Sequence, residues 1–351
     1  MDNFKGSIAQ KNVQFPIEVV IEPLAGENYS RAMIFIPISQ GAIYLAGIDG
    51  VEAGKLYELK SDNYGTLTGG LLKNSLVPFF KSATTVTVGV AVYDDGEEAE
   101  NTLSVVYEKF KMFAYFKFGI TESEKYNDLQ FALSDLCVAD SLYSDLWIGT
   151  SDRNVLKKTS ALIERLNIIK SNARVIFNSD STINPALAQL GKTLSSANAT
   201  ETPVGNSVDM VAFNTISPSG EADEDGDIQN LSALEISILD EQKIGYNTSV
   251  GDGTSNVVTE GSLTLQGESV GANWVRNYIT YMCKVKTANF ITQMNKFKNN
   301  TTYQAILLIL TNQVKGFVDM GRFDDFEITA PPFSELQKSG DKIIVPNAWK
   351  A

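Results

Sequence analysis

The stretch Leu265-Gln266-Gly267-Glu268-Ser269-Val270-Gly271-Ala272-Asn273-Trp274-Val275-Arg276-Asn277-Tyr278 opens a segment, running to Gly316, on which the reading of the chain turns. Apolar residues recur at Trp274, Tyr278, Tyr281, Met282 and Val285. That spacing is the stripe of an amphipathic helix, and it marks these side chains as a core helix face. Asn273 is a favourable N-cap for it. A polar run, Lys296-Phe297-Lys298-Asn299-Asn300, separates it from a second helix starting at Asn300 or Thr301. The second stripe is Tyr303, Ile306, Leu307, Leu310 and Val314, with Gly316 as the expected C-terminal stop. The unit reads as strand, tight glycine turn, long helix, linker, long helix.

Gly267-x-x-x-Gly271-x-Asn273-Trp274, followed by one helix and then another ending in Gly, resembles the C-terminal part of tail sheath proteins of contractile phages and related injection machines. The resemblance covers roughly residues 185–330 as an order of elements. In that family an Arg and aromatic residues lie near the start of the first helix, here Trp274, Arg276 and Tyr278. The resemblance implies a structural subunit that polymerises around an inner tail tube and contracts to drive the tube through a cell envelope. It implies stacked, hexameric rings, contacts with tube, baseplate and tail terminator proteins, and a place in a virion assembled in a bacterial cytoplasm. It also implies terminal arms that complete a sheet in neighbouring subunits.

The residues give their own bounds. The 351 residues are enough for two or three domains, and with 43% apolar and 20% charged residues the chain is an ordinary globular one. No apolar run reaches the length of a bilayer span: Ala305-Ile306-Leu307-Leu308-Ile309-Leu310 is far too short. Met1–Gly6 has no basic and apolar leader pattern, so no signal peptide is read and the chain is expected to stay in the cytoplasm where it is made. A net charge of −13 argues against a nucleic-acid partner. Lys109–Lys117 and Lys284–Lys298 are only mildly basic and read as solvated faces. Cys137 and Cys283 sit among apolar residues and read as small buried hydrophobes.

The chain has no histidine. That removes Ser-His-Asp and Cys-His catalysis, His-ligated metals and the usual general base near neutral pH. The sheath fold is sometimes likened to subtilisin, but a triad cannot be assembled here. Other motifs also fail their context. Gly191-Lys192-Thr193 has Ala186 where a phosphate-cradling loop needs its first Gly. Gly251-Asp252-Gly253 lacks a third Gly. Glu221–Asp227 resembles part of a calcium loop but would have Ser232 where a bidentate Glu is required. The pairs Asp94/Asp95 and Asp324/Asp325 lie in polar turns. The expectation is a non-enzyme without metal, cofactor, nucleic-acid or membrane partner. The rivals are another tail protein (tube, terminator or baseplate), a His-free enzyme on an α/β sheet, and a glycan-binding module using Tyr44, Tyr64 and Tyr246 as surface aromatics.

Along the rest of the chain, strands are expected at Phe15–Pro23, Ser30–Pro37, Thr84–Tyr93, Met112–Phe118, Asp145–Thr150, Ala173–Phe177 and Val257–Leu265. Helices are expected at Leu71–Ser82, Tyr126–Tyr143, Val155–Ile169, Asn184–Leu194 and Ser232–Gln242. Alternation of the two gives an α/β (α+β) fold of mixed sheets flanked by helices, with extended terminal arms. The expected division is an arm with a strand at 1–29, an α/β domain at 30–184, a C-terminal core domain at 185–330 and an arm at 331–351. Asp341–Val345 reads as a strand ended by Pro346. Ile17, Val19 and Ile21 at one end, and Ile343, Ile344 and Val345 at the other, are the candidates for strand addition between subunits.

Overall fold

The computed structural model describes residues 13–15, 31–111, 113–114, 116–121, 127–139, 144–178, 181–194, 231–250, 256–260, 264–267, 300–319, 327–329, 332, 334, 337–339 and 342–350. In chain order the strands are β1 (Val13–Phe15), β2 (Arg31–Pro37), β3 (Leu56–Leu59), β4 (Thr87–Tyr93), β5 (Phe116–Thr121), β6 (Asp145–Thr150), β7 (Arg174–Phe177), β8 (Gly245–Val250), β9 (Asn256–Glu260), β10 (Glu327–Thr329), β11 (Gln337–Ser339) and β12 (Lys342–Lys350). The helices are α1 (Gly41–Tyr44), α2 (Gly70–Ser82), α3 (Ala99–Phe110), α4 (Asn127–Ala139), α5 (Ala161–Ile168), α6 (Pro185–Leu194), α7 (Ala233–Glu241) and α8 (Asn300–Asp319). The chain forms two compact units: Glu27–Ala139 with Ser144–Asn273, and Met1–Gly26 with Asp140–Tyr143 and Trp274–Ala351.

The first unit is an α/β fold on an eight-stranded sheet, ordered β3-β4-β2-β5-β6-β7-β8-β9. The six central strands run parallel, and β3 and β9 close the edges antiparallel. Parallel strands covered on both faces read as continuous apolar runs. Met33-Ile34-Phe35-Ile36 is such a run, and β2 is buried from Ala32 to Ile36. On one face Met33, Phe35, Tyr93, Ile148, Val175 and Phe177 pack with Leu103 and Tyr107 of α3, Leu133 of α4, Leu162 of α5 and Leu239 of α7. On the other, α6 lies on β6 and β7 with α2 alongside.

Several helix ends follow sequence signals. Ser232 and Glu235 form a reciprocal capping box at the start of α7: Glu235 N–H donates to Ser232 Oγ at 3.3 Å and Ser232 N–H to the Glu235 carboxylate at 2.8 Å. Asn184 Oδ1 accepts from the Leu187 N–H at 3.1 Å and caps α6.

Some expectations are corrected. A helix over Val155–Ile169 is shorter: Arg153–Leu156 is a separate 3-10 turn, Lys157 is extended, and Ser160 caps α5. The strand expected from Met112 begins at Phe116, because the polypeptide is still turning out of α3, with Phe113 N–H donating to the Phe110 carbonyl. Gly316 does not stop its helix. Its φ is not positive, and α8 continues to Asp319 with Lys315 bonded to Asp319 one turn on. Of the stripe expected there, Tyr303, Ile306, Leu310 and Val314 are buried, while Leu307 is half-buried. Lys117 is not on a solvated face but fully buried, and Tyr44 and Tyr246 are also buried, which removes them as surface platforms for a glycan. Tyr64 is half-buried against the ring of Phe80. Cys137 is buried in α4. Cys283, Asp324/Asp325, Lys284–Lys298, and the loops at 221–227 and 251–253 lie outside the described residues.

Candidate assembly interface

The second unit carries a four-stranded sheet built from the two ends of the sequence. Its long member is β12, whose nine residues divide into three blocks of three, each facing a different strand. Lys342–Ile344 pairs with β11 (Ile343 with Lys338, Ile344 with Gln337). Val345–Asn347 pairs with β1, in the register Val13 to Asn347, Gln14 to Pro346 and Phe15 to Val345. Ala348–Lys350 pairs with β10, with Ile328 opposite Trp349. All three ladders are antiparallel.

Pro346 therefore does not end the strand. Proline supplies no N–H and is tolerated where a ladder is one-sided. Among the described residues, the block Val345–Asn347 has a strand partner on one side only. The residues expected to serve strand addition thus part company. Ile343, Ile344 and Val345 are in β12, whereas Ile17, Val19 and Ile21 lie outside the described residues, as does the core helix face of Trp274, Tyr278, Met282 and Val285. The strand on the N-terminal side is Val13–Phe15, upstream of the apolar alternation that drew attention to residues 17–21.

Two features of the eight-stranded unit could hold chemistry. One is a cavity of about 650 Å³ between α5 and the end of α7. Ser160, Ile163, Glu164 and Asn167 form one wall, Glu241, Gln242 and Lys243 the other, with Leu265 between. Lys243 adopts φ 60° to end α7, and Gly267 adopts φ 81° beside it in the tight turn that the sequence suggested. A Lys158–Glu241 ion pair at 3.1 Å lies at the rim, and the lining charges comprise two lysines and two glutamates, so the walls favour neither sign.

The other is a polar cluster inside the fold. Lys117 Nζ donates to Ser144 Oγ at 2.5 Å and to Tyr107 Oη at 3.0 Å, and the two hydroxyls are 2.8 Å apart. The amine also sits 4.6 Å from the Tyr107 ring centre. A serine beside a lysine is the composition of a His-free nucleophilic pair. Here Lys117 and Tyr107 are fully buried and none of the three lines the cavity. The cluster instead ties α3, β5 and the residue preceding β6 together. Nearby in the sheet, Asp145 accepts from Trp147 Nε1 at 3.1 Å. Burial lowers the pKa of Arg174 to about 10, opposed by the negative charge of Asp145.

Gly191, the glycine of the apparent phosphate loop, is inside α6 and packs against the backbone of Phe79. Among the described residues no group of three or more acidic or cysteine side chains is placed to hold a metal ion, and no helix is long and apolar enough to cross a membrane.

No family model matches the sequence, and no curated protein matches it. Among solved structures, a chain in the cryo-EM structure of the anti-feeding prophage baseplate, symmetrised six-fold, is similar with a TM-score of 0.59 and 11% identity. The likeness covers 92% of this chain and 90% of that one, so the two share a fold over most of their length.

Proposed function

We propose that this chain is a structural, non-enzymatic subunit of a contractile tail or injection particle, and specifically its sheath subunit. The observation that carries this reading is the fold likeness, over most of the chain, to a chain of the anti-feeding prophage baseplate. The sheath assignment adds the segment from Leu265 to Gly316 and a terminal sheet in which Val13–Phe15 pairs antiparallel with Val345–Asn347. In this function the subunit does no chemistry. Rings of rigid bodies switch between two packings around an inner tube while terminal strands keep neighbours connected.

A second reading is a baseplate component, favoured by the description of the similar structure as a baseplate. Negative-stain electron microscopy of the purified protein separates the two. A sheath subunit gives tubes or stacked rings that lengthen with concentration. A baseplate subunit gives closed discs or rings of fixed size that do not stack. A compact monomer at high concentration, with neither form in a particle lysate, rules against both.

A further inference from the structure

The eight-stranded sheet ends on one side at β3, which among the described residues has a strand beside it on the β4 side only. An edge strand presents unpaired N–H and C=O groups that invite a strand from another molecule. Val92 N–H donates to the Lys55 carbonyl at 3.1 Å, so Lys55 turns its carbonyl toward β4. Residues of an antiparallel ladder alternate in this respect. Tyr57 and Leu59 therefore also face β4, and Leu56, Glu58 and Lys60 turn their N–H and C=O groups outward.

We propose that the Asn63 side chain plugs this edge and so keeps the sheet from joining that of a second copy through β3. The inference goes beyond the structural-subunit reading and does not depend on it. Asn63 Nδ2 donates to the Glu58 carbonyl at 3.2 Å, and Asn63 Oδ1 accepts from the Lys60 N–H at 2.6 Å. One side chain thus satisfies an outward acceptor and the next outward donor, the groups a neighbouring strand would take. All three residues are exposed, so the two bonds do not serve to satisfy buried groups. The turn that follows β3 is held without them. Asn63 and Tyr64 N–H donate to the Lys60 carbonyl at 3.1 and 2.9 Å, and Thr66 N–H and Oγ1 donate to the Asn63 carbonyl at 3.0 and 2.9 Å. Ser61 Oγ ties the turn to the Thr84 carbonyl at 2.9 Å. None of these bonds uses the Asn63 amide side chain.

The excluded strand is β3 of a second copy. Antiparallel pairing of β3 with itself about Tyr57 sets Leu56 against Glu58 and Lys55 against Leu59, so no like charges are opposed. Leu56 and Glu58 both face outward and form the hydrogen-bonded pair, with the Glu58 carbonyl accepting from the Leu56 N–H of the second copy. That carbonyl is the one Asn63 occupies. A register centred on Glu58 would instead oppose the two glutamates. The Tyr57-centred contact is two-fold and closed, so subunits joined this way leave β3 with no free side.

The test compares the parent with Asn63→Ala, and with Asn63→Ala combined with Glu58→Pro. Proline at 58 removes an N–H that β4 does not use and obstructs an incoming strand. At a concentration where the parent is dispersed, light scattering should give Asn63→Ala at least a ten-fold larger dimer fraction with unchanged circular dichroism. The double variant should return to the parental level. An Asn63→Ala protein no more associated than the parent overturns the plug, and dimers that persist with Glu58→Pro overturn β3 as the contact. Amide hydrogen exchange in the parent gives a reading that does not require the variant to fold. The Lys60 N–H should exchange at least ten-fold more slowly than in an unstructured chain, and exchange at the unstructured rate overturns the plug. Tubes, discs or neither from the parent bear on the proposed function and leave this comparison intact, because it is a difference between variants.

Discussion

A Cβ on Gly191 would lie 2.5 Å from the Cα of Phe79, so α6 and α2 meet backbone against backbone. Glycine in a helix interior ordinarily weakens it by about 0.5–1 kcal/mol relative to alanine. Here that preference reverses, because the neighbouring atoms are main chain and cannot swing aside. Gly191→Ala should destabilise the protein by about 1–3 kcal/mol, the range for overpacking. Gly316→Ala should do the opposite, since nothing lies within 4 Å of its added Cβ and α8 runs through it. A gain of about 0.5–1 kcal/mol is expected. Urea titrations of the two variants check both signs, and equal signs would contradict this packing.

The cluster of Lys117, Tyr107 and Ser144 predicts an asymmetry. Tyr107→Phe removes a hydroxyl that both other groups use, and should cost about 1–3 kcal/mol, as for other buried groups that lose a partner. Lys117→Met removes the buried amine, keeps much of the volume and leaves the Tyr107–Ser144 bond in place. It should fall within about 1.5 kcal/mol of the parent, or be more stable. Chemical denaturation measures both, and a Lys117→Met cost well above that of Tyr107→Phe would show that the ammonium is the element holding α3 to the sheet.

The capping box at α7 gives a pH signature. Hydrogen bonds from the Ser232 backbone and hydroxyl hold the Glu235 carboxyl below its ordinary pKa of 4.5. A depressed folded-state pKa contributes stability that is present above 4.5 and is lost as pH falls through the folded value. Ser232→Ala should cost about 1 kcal/mol at neutral pH. Its penalty should shrink below pH 4.5, where protonation has already weakened the parent's cap. Thermal melts of parent and variant from pH 3 to 7 test this: parallel, offset curves would mean that the cap does not depend on ionisation of Glu235, and coincident curves that it contributes nothing.

Removing residues 1–15 takes away β1 and nothing of the eight-stranded unit, which begins at Glu27. The truncated chain should melt within a few degrees of the parent, while its assembly becomes faulty. A sharp fall in melting temperature would make the N-terminal strand part of a core and not an arm.

Much of the α/β layer was legible because its parallel strands are buried on both faces and therefore read as plain apolar runs, as in Met33–Ile36. The helix Ala99–Phe110 was not anticipated, although Leu103, Val106, Tyr107 and Phe110 carry a helical stripe. The acidic turn before it and the aromatic-rich stretch after it carry loop and strand signals that mask the stripe. Lys117 misled for a different reason. Its burial depends on Tyr107 and Ser144, distant in sequence, and no local pattern reports such a partnership. Gly316 carries the sequence signature of a terminator, because composition does not distinguish a left-handed stop from a helical glycine. The terminal sheet was legible only as two apolar ends. Which residues pair is a matter of register, and register is set by partners some 330 positions apart.

The division of the chain also sets an order of manufacture. Every strand of the eight-stranded sheet has been synthesised once Asn273 is made, whereas β12 lies in the segment Trp274–Ala351. At ~5–20 residues per second that segment takes roughly 4–16 s to synthesise. The sheet can close during this interval while Val13–Phe15, translated before the sheet, waits for a partner translated after it.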